Sequence, residues 1–372
     1  MRILFAFPEP LPIAKARSLQ VVRTASAIAE SGIEVVLMHE QGEADPFSFY
    51  GHGRPDKLSE VLVSRAMPWP FEWVVSNRFF YRRAMHALSA MPGINAVFTR
   101  HLKFAARFLQ EDPQIPLVYE AHEVFADTAP KGKRRQRALE ESTVVSKAAA
   151  IVANSNATAR RLVELYGPAQ TLEVVPNGVD RKDARPEKDW STARRRIVYA
   201  GSLFPWKGVD DLIAAGAWMA GHQIEIIGGD DDRIEKLKER ISPGGAEFRF
   251  SGRLSHDEVM SRLERHCIAV LPNRDEPDSA FTSPIKLFEY LASGCAIVAS
   301  DLAPIREILH DEDAQWAMPG DPASLAKAII AISSDCSRAA VMGSRLFDRA
   351  GKYTWAARGE RLKSILLSVA KG

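Results

Sequence analysis

Cysteine is almost missing from this sequence, with three residues in 372, at positions 267, 295 and 336. They lie far apart in apolar stretches, so they offer neither a disulfide framework nor the spacing of a zinc site, and a reducing cytosol is the expected setting. Long apolar runs are missing too. The run Ile3 to Phe7 stops at Pro8, too short for a signal peptide, and nothing approaches the ~20 apolar residues that a membrane-spanning helix needs. Any contact with a membrane is then peripheral. Excess charge of either sign is also missing: 49 Lys and Arg face 47 Asp and Glu, a net +2, which argues against nucleic acid as a partner. The loop after the first apolar run, Pro8-Glu9-Pro10-Leu11-Pro12, lacks every glycine of the G-x-G-x-x-G turn that lets a pyrophosphate approach the backbone, which argues against a dinucleotide-dependent oxidoreductase.

What is present is a balanced globular composition, 46% hydrophobic and 26% charged. At roughly 150 residues per domain, the length argues for two domains. Strand-like runs alternate with helix-like ones from end to end, the pattern of α/β proteins with parallel sheets covered on both faces. In the first half the strand candidates are Ile3–Phe7, Glu34–Met38, Val61–Ser64, Asn95–Thr99, Pro116–Tyr119, Ala150–Ala153 and Leu172–Val175. A second series follows at Arg196–Ala200, Ile224–Ile227, Glu247–Phe250, Ile268–Leu271 and Ala296–Ser300. Between them the charged stretch 179–196 has no apolar period and reads as a linker. The expected division is residues 1–180, residues 181–353, and a terminal amphipathic helix over 354–372, with Trp355, Leu362, Ile365 and Leu366 on one face, that can cross back to the first domain.

Two loops of the second half suit an anion. Gly201 to Gly208 lies between a strand and a helix, with Lys207 at the helix start, where unpaired N–H groups and the helix dipole favour negative charge. An ordinary solvated lysine is the competing reading. Further on, Ser283 as N-cap and Pro284 at the first helical position mark a sharp helix start, and Gly294 marks its end. Lys286 falls in the first turn, where a cation opposes the dipole unless a phosphate is bound. Glu289, one turn on, could accept both hydroxyls of a ribose; a surface Lys–Glu pair worth tenths of a kcal/mol is the competing reading.

Gly201 to Gly208, Ile227-Gly228-Gly229-Asp230, Phe250-Ser251-Gly252-Arg253, Ser283 to Gly294 and Pro176-Asn177-Gly178-Val179-Asp180, in that spacing, together resemble the family-4 glycosyltransferases of the GT-B fold. The resemblance covers nearly the whole chain. It implies two Rossmann-like doubly wound domains facing a central cleft, the first on the acceptor side and the second binding a nucleotide sugar. It also implies a retaining, metal-independent transferase with no cofactor beyond its nucleoside-diphosphate-sugar co-substrate, acting on a glycan, lipid-linked or small-molecule acceptor. By the same resemblance His122, in Val118-Tyr119-Glu120-Ala121-His122-Glu123, is the active-site histidine, Lys207 binds the diphosphate and Glu289 the ribose. Arg253 and Leu254 mark where the base is held, and Thr282, Ser283, Pro284, Ile285 and Lys286 close over the diphosphate.

Two positions depart from the family. The first glutamate of its pair falls at position 281, which is Phe281 here, and the arginine often found after the phosphate-loop glycine is Ser202. Compensation by Lys286, Asp278 or Arg274 is one expectation; a weakened nucleotide-sugar-binding subunit, or another GT-B enzyme such as an epimerase or hydrolase, is the alternative. Arg100 and His101, just after a strand end, and Glu123 are acceptor-side candidates, although His101 can equally cap a loop. His222, His256 and His266 fall in surface turns or helix positions with no role. Residues 67–83, rich in Trp, Phe, Tyr and Arg, and the basic run 131–137 suit either a helix packing its aromatics into the core or weak contact with an anionic membrane.

Overall fold

The computed structural model describes residues 1–13, 15–111, 114–167, 170–276, 279 and 285–370. Seven strands, β1 (Arg2–Leu11), β2 (Glu34–Gln41), β3 (Leu58–Leu62), β4 (Ala96–Thr99), β5 (Leu117–Ala121), β6 (Ala150–Ala153) and β7 (Thr171–Val174), form one sheet in the order β3-β2-β1-β4-β5-β6-β7. Six more, β8 (Ile197–Ala200), β9 (Gln223–Ile227), β10 (Glu247–Phe250), β11 (Ile268–Leu271), β12 (Ala296–Ser300) and β13 (Gln315–Ala317), form a second in the order β10-β9-β8-β11-β12-β13. The pairings are parallel. The apolar runs AIVA, IAVL and AIVAS are buried throughout, as strands covered on both faces must be. In each sheet the strand order reverses beside the first strand, β1 or β8, and the loops leaving the strand ends there are where such folds take ligands.

The first strand runs past Pro8 to Leu11, with a register shift between Phe7 and Pro10. Only Ile3 to Phe5 also pair with β4, so Pro8 and Pro10 fall where just one neighbour remains and their missing N–H groups cost little. At the sheet edge β3 begins at Leu58 rather than Val61, and its Leu62 is 54% exposed, so apolarity does not mark it. Three-residue β13, bonded to β12 alone, carries too short a pattern to read.

The chain divides into two compact units, Met1–Asn177 with Trp355–Gly372, and Gly178–Thr354. Helix Trp355–Val369 buries Trp355, Leu362, Ile365 and Leu366, and Gly359 brings its backbone against helix Ala16–Glu30, where a Cβ would meet the Ala27 carbonyl oxygen at 2.3 Å. Residues 179–196 are not a free linker but are bound to the second unit. Lys188 Nζ donates to the carbonyls of Leu263, Glu264 and His266 at 3.0, 2.9 and 2.6 Å, closing the end of helix His256–Arg265, while Ala193 is fully buried. Backbone capping and isolated apolar anchors, Val179, Trp190 and Ala193, neither of which leaves an apolar period, hold this segment in place.

Candidate functional site

In the second unit the ends of β8, β9 and β10 are drawn together by glycine. Gly208, at φ 69°, passes so close to Pro272 that a Cβ would lie 1.7 Å from its carbonyl oxygen, and one on Gly228, at φ 114°, would lie 2.0 Å from the Gly201 oxygen. Gly201 N–H donates to the Ile227 carbonyl at 2.9 Å, Gly228 N–H to Gly252 at 2.6 Å, and Ala200 N–H to the Tyr290 hydroxyl at 2.8 Å. The turn Pro205–Lys207 then presents Lys207 at the start of helix Val209–Ala215. Its Nζ sits 3.9 Å from the centroid of the Trp206 ring, and it has no carboxylate partner among the described residues. Burial first, and the charge of Lys286 second, push this half-buried ammonium down to about 7.

Helix Ile285–Ala292 carries Lys286 and Glu289, and Gly294, left-handed at φ 63°, ends it. Lys286 Nζ lies 2.9 Å from Glu289 Oε2, yet this is no surface pair, because Glu289 is 1% exposed. His256 Nδ1 stands 3.6 Å from the other carboxylate oxygen. Among the described residues neither oxygen receives a well-angled hydrogen bond, so a buried carboxylate is left with acceptor capacity to spare. Burial opposes its ionisation, but the charges of Lys286 and then His256 hold it below the usual carboxylate range.

The remaining residues of this half fall in different places. Ser202 is exposed, its carbonyl receiving the Tyr199 hydroxyl at 2.6 Å. Arg253 is exposed and ion-paired with Asp230, while Leu254 packs on the second core and Ile285 opens its helix half-buried. Phe281, Thr282, Ser283, Pro284 and Asp278 lie outside the described residues. Arg274 is not available to replace a lost carboxylate contact, because its guanidinium grips Asp211 with two bonds of 2.7 and 2.6 Å. The histidines expected to have no role are all engaged. His222 is buried between the Met219 carbonyl and Ser333, His266 Nε2 lies 3.2 Å from Glu225, and His256 faces Glu289. A capping box between Ser255 and Glu258 fixes His256 at its helix start.

In the first unit the end of β5 places Glu120 and His122 together. Glu120 is 0% exposed and ion-paired with Arg358; Gln20 Nε2 donates to it at 3.0 Å. Arg358 also donates to Thr24 at 3.2 Å and to the carbonyls of Val175 and Pro176 at 2.7 Å each. Arg100 donates to Gln20 Oε1 at 2.7 Å. His122 Nε2 lies 3.1 Å from Glu120 without a well-angled hydrogen bond, and Asn154 holds the His122 carbonyl at 3.0 Å. Burial, followed by Arg100, lowers the His122 imidazole to about 4, so it is neutral at pH 7. Glu120 is held well below the usual range despite its burial. With His122 neutral, Arg358 and Arg100 supply the charge that does this at pH 7. His101 Nδ1 accepts from Phe104 N–H at 3.3 Å and so caps helix Leu102–Gln110, and Glu123 takes the Thr128 hydroxyl at 2.5 Å.

Sequence reasoning missed Glu120, Gln20, Arg358 and His256. Glu120 had a signal, being the one carboxylate inside the buried strand LVYEA; Arg358, 238 positions away, had none. Among the described residues no group of three or more His, Cys, Asp or Glu is arranged to hold a metal.

Comparisons with known proteins agree with this architecture. Residues 19–183 match the family described as Glycosyltransferase Family 4, and residues 194–335 match Glycosyl transferases group 1. A D-inositol 3-phosphate glycosyltransferase of Nocardia farcinica is 24% identical, over 93% of this chain and 83% of its own length. A phosphatidyl-myo-inositol mannosyltransferase of Mycolicibacterium smegmatis is 28% identical, over 53% of this chain and 52% of its own length. A glycogen synthase of Mycobacterium tuberculosis is 30% identical, over 54% and 49%. The match thus spans most of the first relative and about half of the other two. Among solved structures, sucrose-phosphate synthase from Thermosynechococcus elongatus superposes with a TM-score of 0.78 at 18% identity, covering 99% of this chain and 98% of that one. Anabaena HepE in complex with UDP and glucose superposes at 0.75 and 16%, covering 99% and 100%. With two parallel-sheet Rossmann-like units and these matches in succession, the chain is a GT-B-fold homologue of the glycosyltransferases, its first part matching the family 4 model and its second the group 1 model.

Proposed function

We propose that the protein transfers a sugar from a nucleoside diphosphate donor to a hydroxyl of a glycan, lipid-linked or small-molecule acceptor, with retention of configuration and without a metal. The observation that carries this reading is the buried, under-bonded carboxylate of Glu289 beside Lys286, in the same unit as Lys207, a lysine with no carboxylate of its own. A ribose supplies the two hydroxyl donors that Glu289 lacks, and a diphosphate supplies the opposite charge that Lys207 lacks, with Lys286 close enough for its charge to be felt at Lys207. As the bond from the sugar's anomeric carbon to the phosphate oxygen breaks, negative charge grows on that oxygen, and the two ammoniums stabilise it. The acceptor hydroxyl forms the new bond from the leaving-group side and its proton passes to the departing phosphate. His122 of the first unit is neutral at pH 7, so it acts there as a hydrogen-bonding group rather than as a cation. HepE, crystallised with UDP and glucose, supports a nucleotide-sugar donor, and the names of the inositol-linked relatives support a polyol hydroxyl as acceptor.

A thermal-shift panel of UDP, GDP, ADP and their sugars tests the reading. One base is expected to stabilise the protein, by about 2.7 kcal/mol at a hundred times its dissociation constant. No shift with any of them overturns it, and release of free sugar at a rate independent of acceptor replaces transfer with hydrolysis.

A further inference from the structure

Five large apolar side chains between residues 69 and 75 stand in solvent. Trp69 is 82% exposed, Trp73 74%, Val75 55%, Phe71 46% and Val74 40%. The loop that carries them is tied at its base. Ala66 bridges to Val75, Met67 N–H donates to the Val74 carbonyl at 2.8 Å, Phe71 N–H donates to Pro68 at 3.1 Å, and the Phe71 and Trp73 rings meet edge-on at 5.5 Å. Helix Asn77–Ser89 follows at once, and its Phe80 and Tyr81 turn into the core. The aromatic stretch 67–83 is therefore two things: a helix whose aromatics are used by the fold, and a loop whose aromatics are not.

The surroundings of the loop are basic. Arg78 and Arg82 have no carboxylate partner among the described residues. Tyr81, on the same helix, feels the charges of Arg137, Glu140 and Glu9, and Lys103, beyond burial, feels those of Arg137, Glu140 and Lys133. Glu140 is tied to Arg137, which leaves Glu72 as the acid of the loop itself. An exposed aromatic tip followed at once by two exposed arginines without carboxylate partners has the composition of a segment that enters the headgroup region of an anionic bilayer. We propose that loop 67–75 docks the first unit on an anionic membrane, with Trp69, Phe71 and Trp73 inserted among the headgroups and Arg78 and Arg82 set against lipid phosphates. This assignment concerns a surface remote in sequence from every residue given a part in glycosyl transfer, and it does not depend on that reading.

Flotation with phosphatidylglycerol vesicles and with phosphatidylcholine vesicles, at low and high salt, tests it, together with tryptophan quenching by bromine-labelled acyl chains. The full chain is expected to float with the anionic vesicles at low salt and to show quenching. In Trp69→Ser/Trp73→Ser the quenching should disappear and the bound fraction fall about tenfold or more, since two large apolar side chains no longer leave water. Arg78→Glu/Arg82→Glu should weaken binding to the anionic vesicles and abolish its salt dependence. Circular dichroism of each variant checks that the fold is kept. No flotation at low salt, or quenching undiminished in the tryptophan variant, overturns the proposal. So does a variant that binds vesicles normally but loses turnover on a soluble acceptor, because the loop then serves the acceptor instead.

Discussion

Glu120 of the first unit and Glu289 of the second are equally withdrawn from water, at 0% and 1% exposure, and each has a cation and a histidine beside it. Their hydrogen bonding separates them. Glu120 takes Gln20 and the guanidinium of Arg358, which is itself anchored on two backbone carbonyls from the strand-end segment Val175–Pro176. Glu289 has charges nearby but, among the described residues, no well-angled donor on either oxygen. A buried carboxylate that the protein satisfies completely contributes to structure, whereas one that it leaves short is prepared for something the folded chain does not contain. The same contrast runs through the cations: Arg358 is fully engaged, and Lys207 rests on the Trp206 ring with its proton loosely held.

The comparison breaks if the two carboxylates respond alike to mutation. Arg358→Ala has the largest expected effect, because it leaves Glu120 charged and buried without its cation. Urea unfolding should show the first unit destabilised by about 3–5 kcal/mol. Lys207→Ala should leave that transition where it was and lower kcat/KM by about 10²–10³, roughly 2.7–4 kcal/mol of transition-state stabilisation, as removal of a donor to a developing anion does. Glu289→Gln sharpens the contrast most finely. Stability should stay within about 1 kcal/mol of the parent, while calorimetry should show nucleotide affinity falling by roughly 1.5–3 kcal/mol for the lost charged hydrogen bonds. Loss of stability in Glu289→Gln equal to that in Arg358→Ala would make Glu289 a structural residue.

How much of this can be read in the sequence follows from distance along the chain. The strands Ala150–Ala153, Ile268–Leu271 and Ala296–Ser300 fall where their apolar runs place them, because a strand buried on both faces writes its whole length in hydrophobicity. At the edges that record fails: β3 is half exposed, β13 has three residues, and the end of β1 is read as a break because proline is normally one. The Lys286–Glu289 pair is legible from its helical spacing, but its burial is not, since that depends on His256 and on the strands packed around it. The Glu120–Arg358 pair joins a strand of the first half to the terminal helix, and no local pattern announces a contact across that separation. Residues 179–196 look like a linker for the same reason, being held by backbone capping from Lys188 and by scattered apolar anchors, Val179, Trp190 and Ala193, that show no period.

The central claim is that Lys207 and Glu289 await a nucleoside diphosphate, and proton linkage tests it most directly. A lysine held near 7 is largely deprotonated at pH 8.5, and a diphosphate settling against it raises its proton affinity, so binding must draw a proton from solution. Affinity should therefore fall as pH rises from about 7 to 9, by at most tenfold per unit. Titration of UDP, GDP and ADP in buffers of different ionisation enthalpy at pH 8.5 should show one nucleotide bound with net proton uptake, and Lys207→Ala should lose that uptake. Binding without proton uptake, or uptake that persists in Lys207→Ala, would contradict the account.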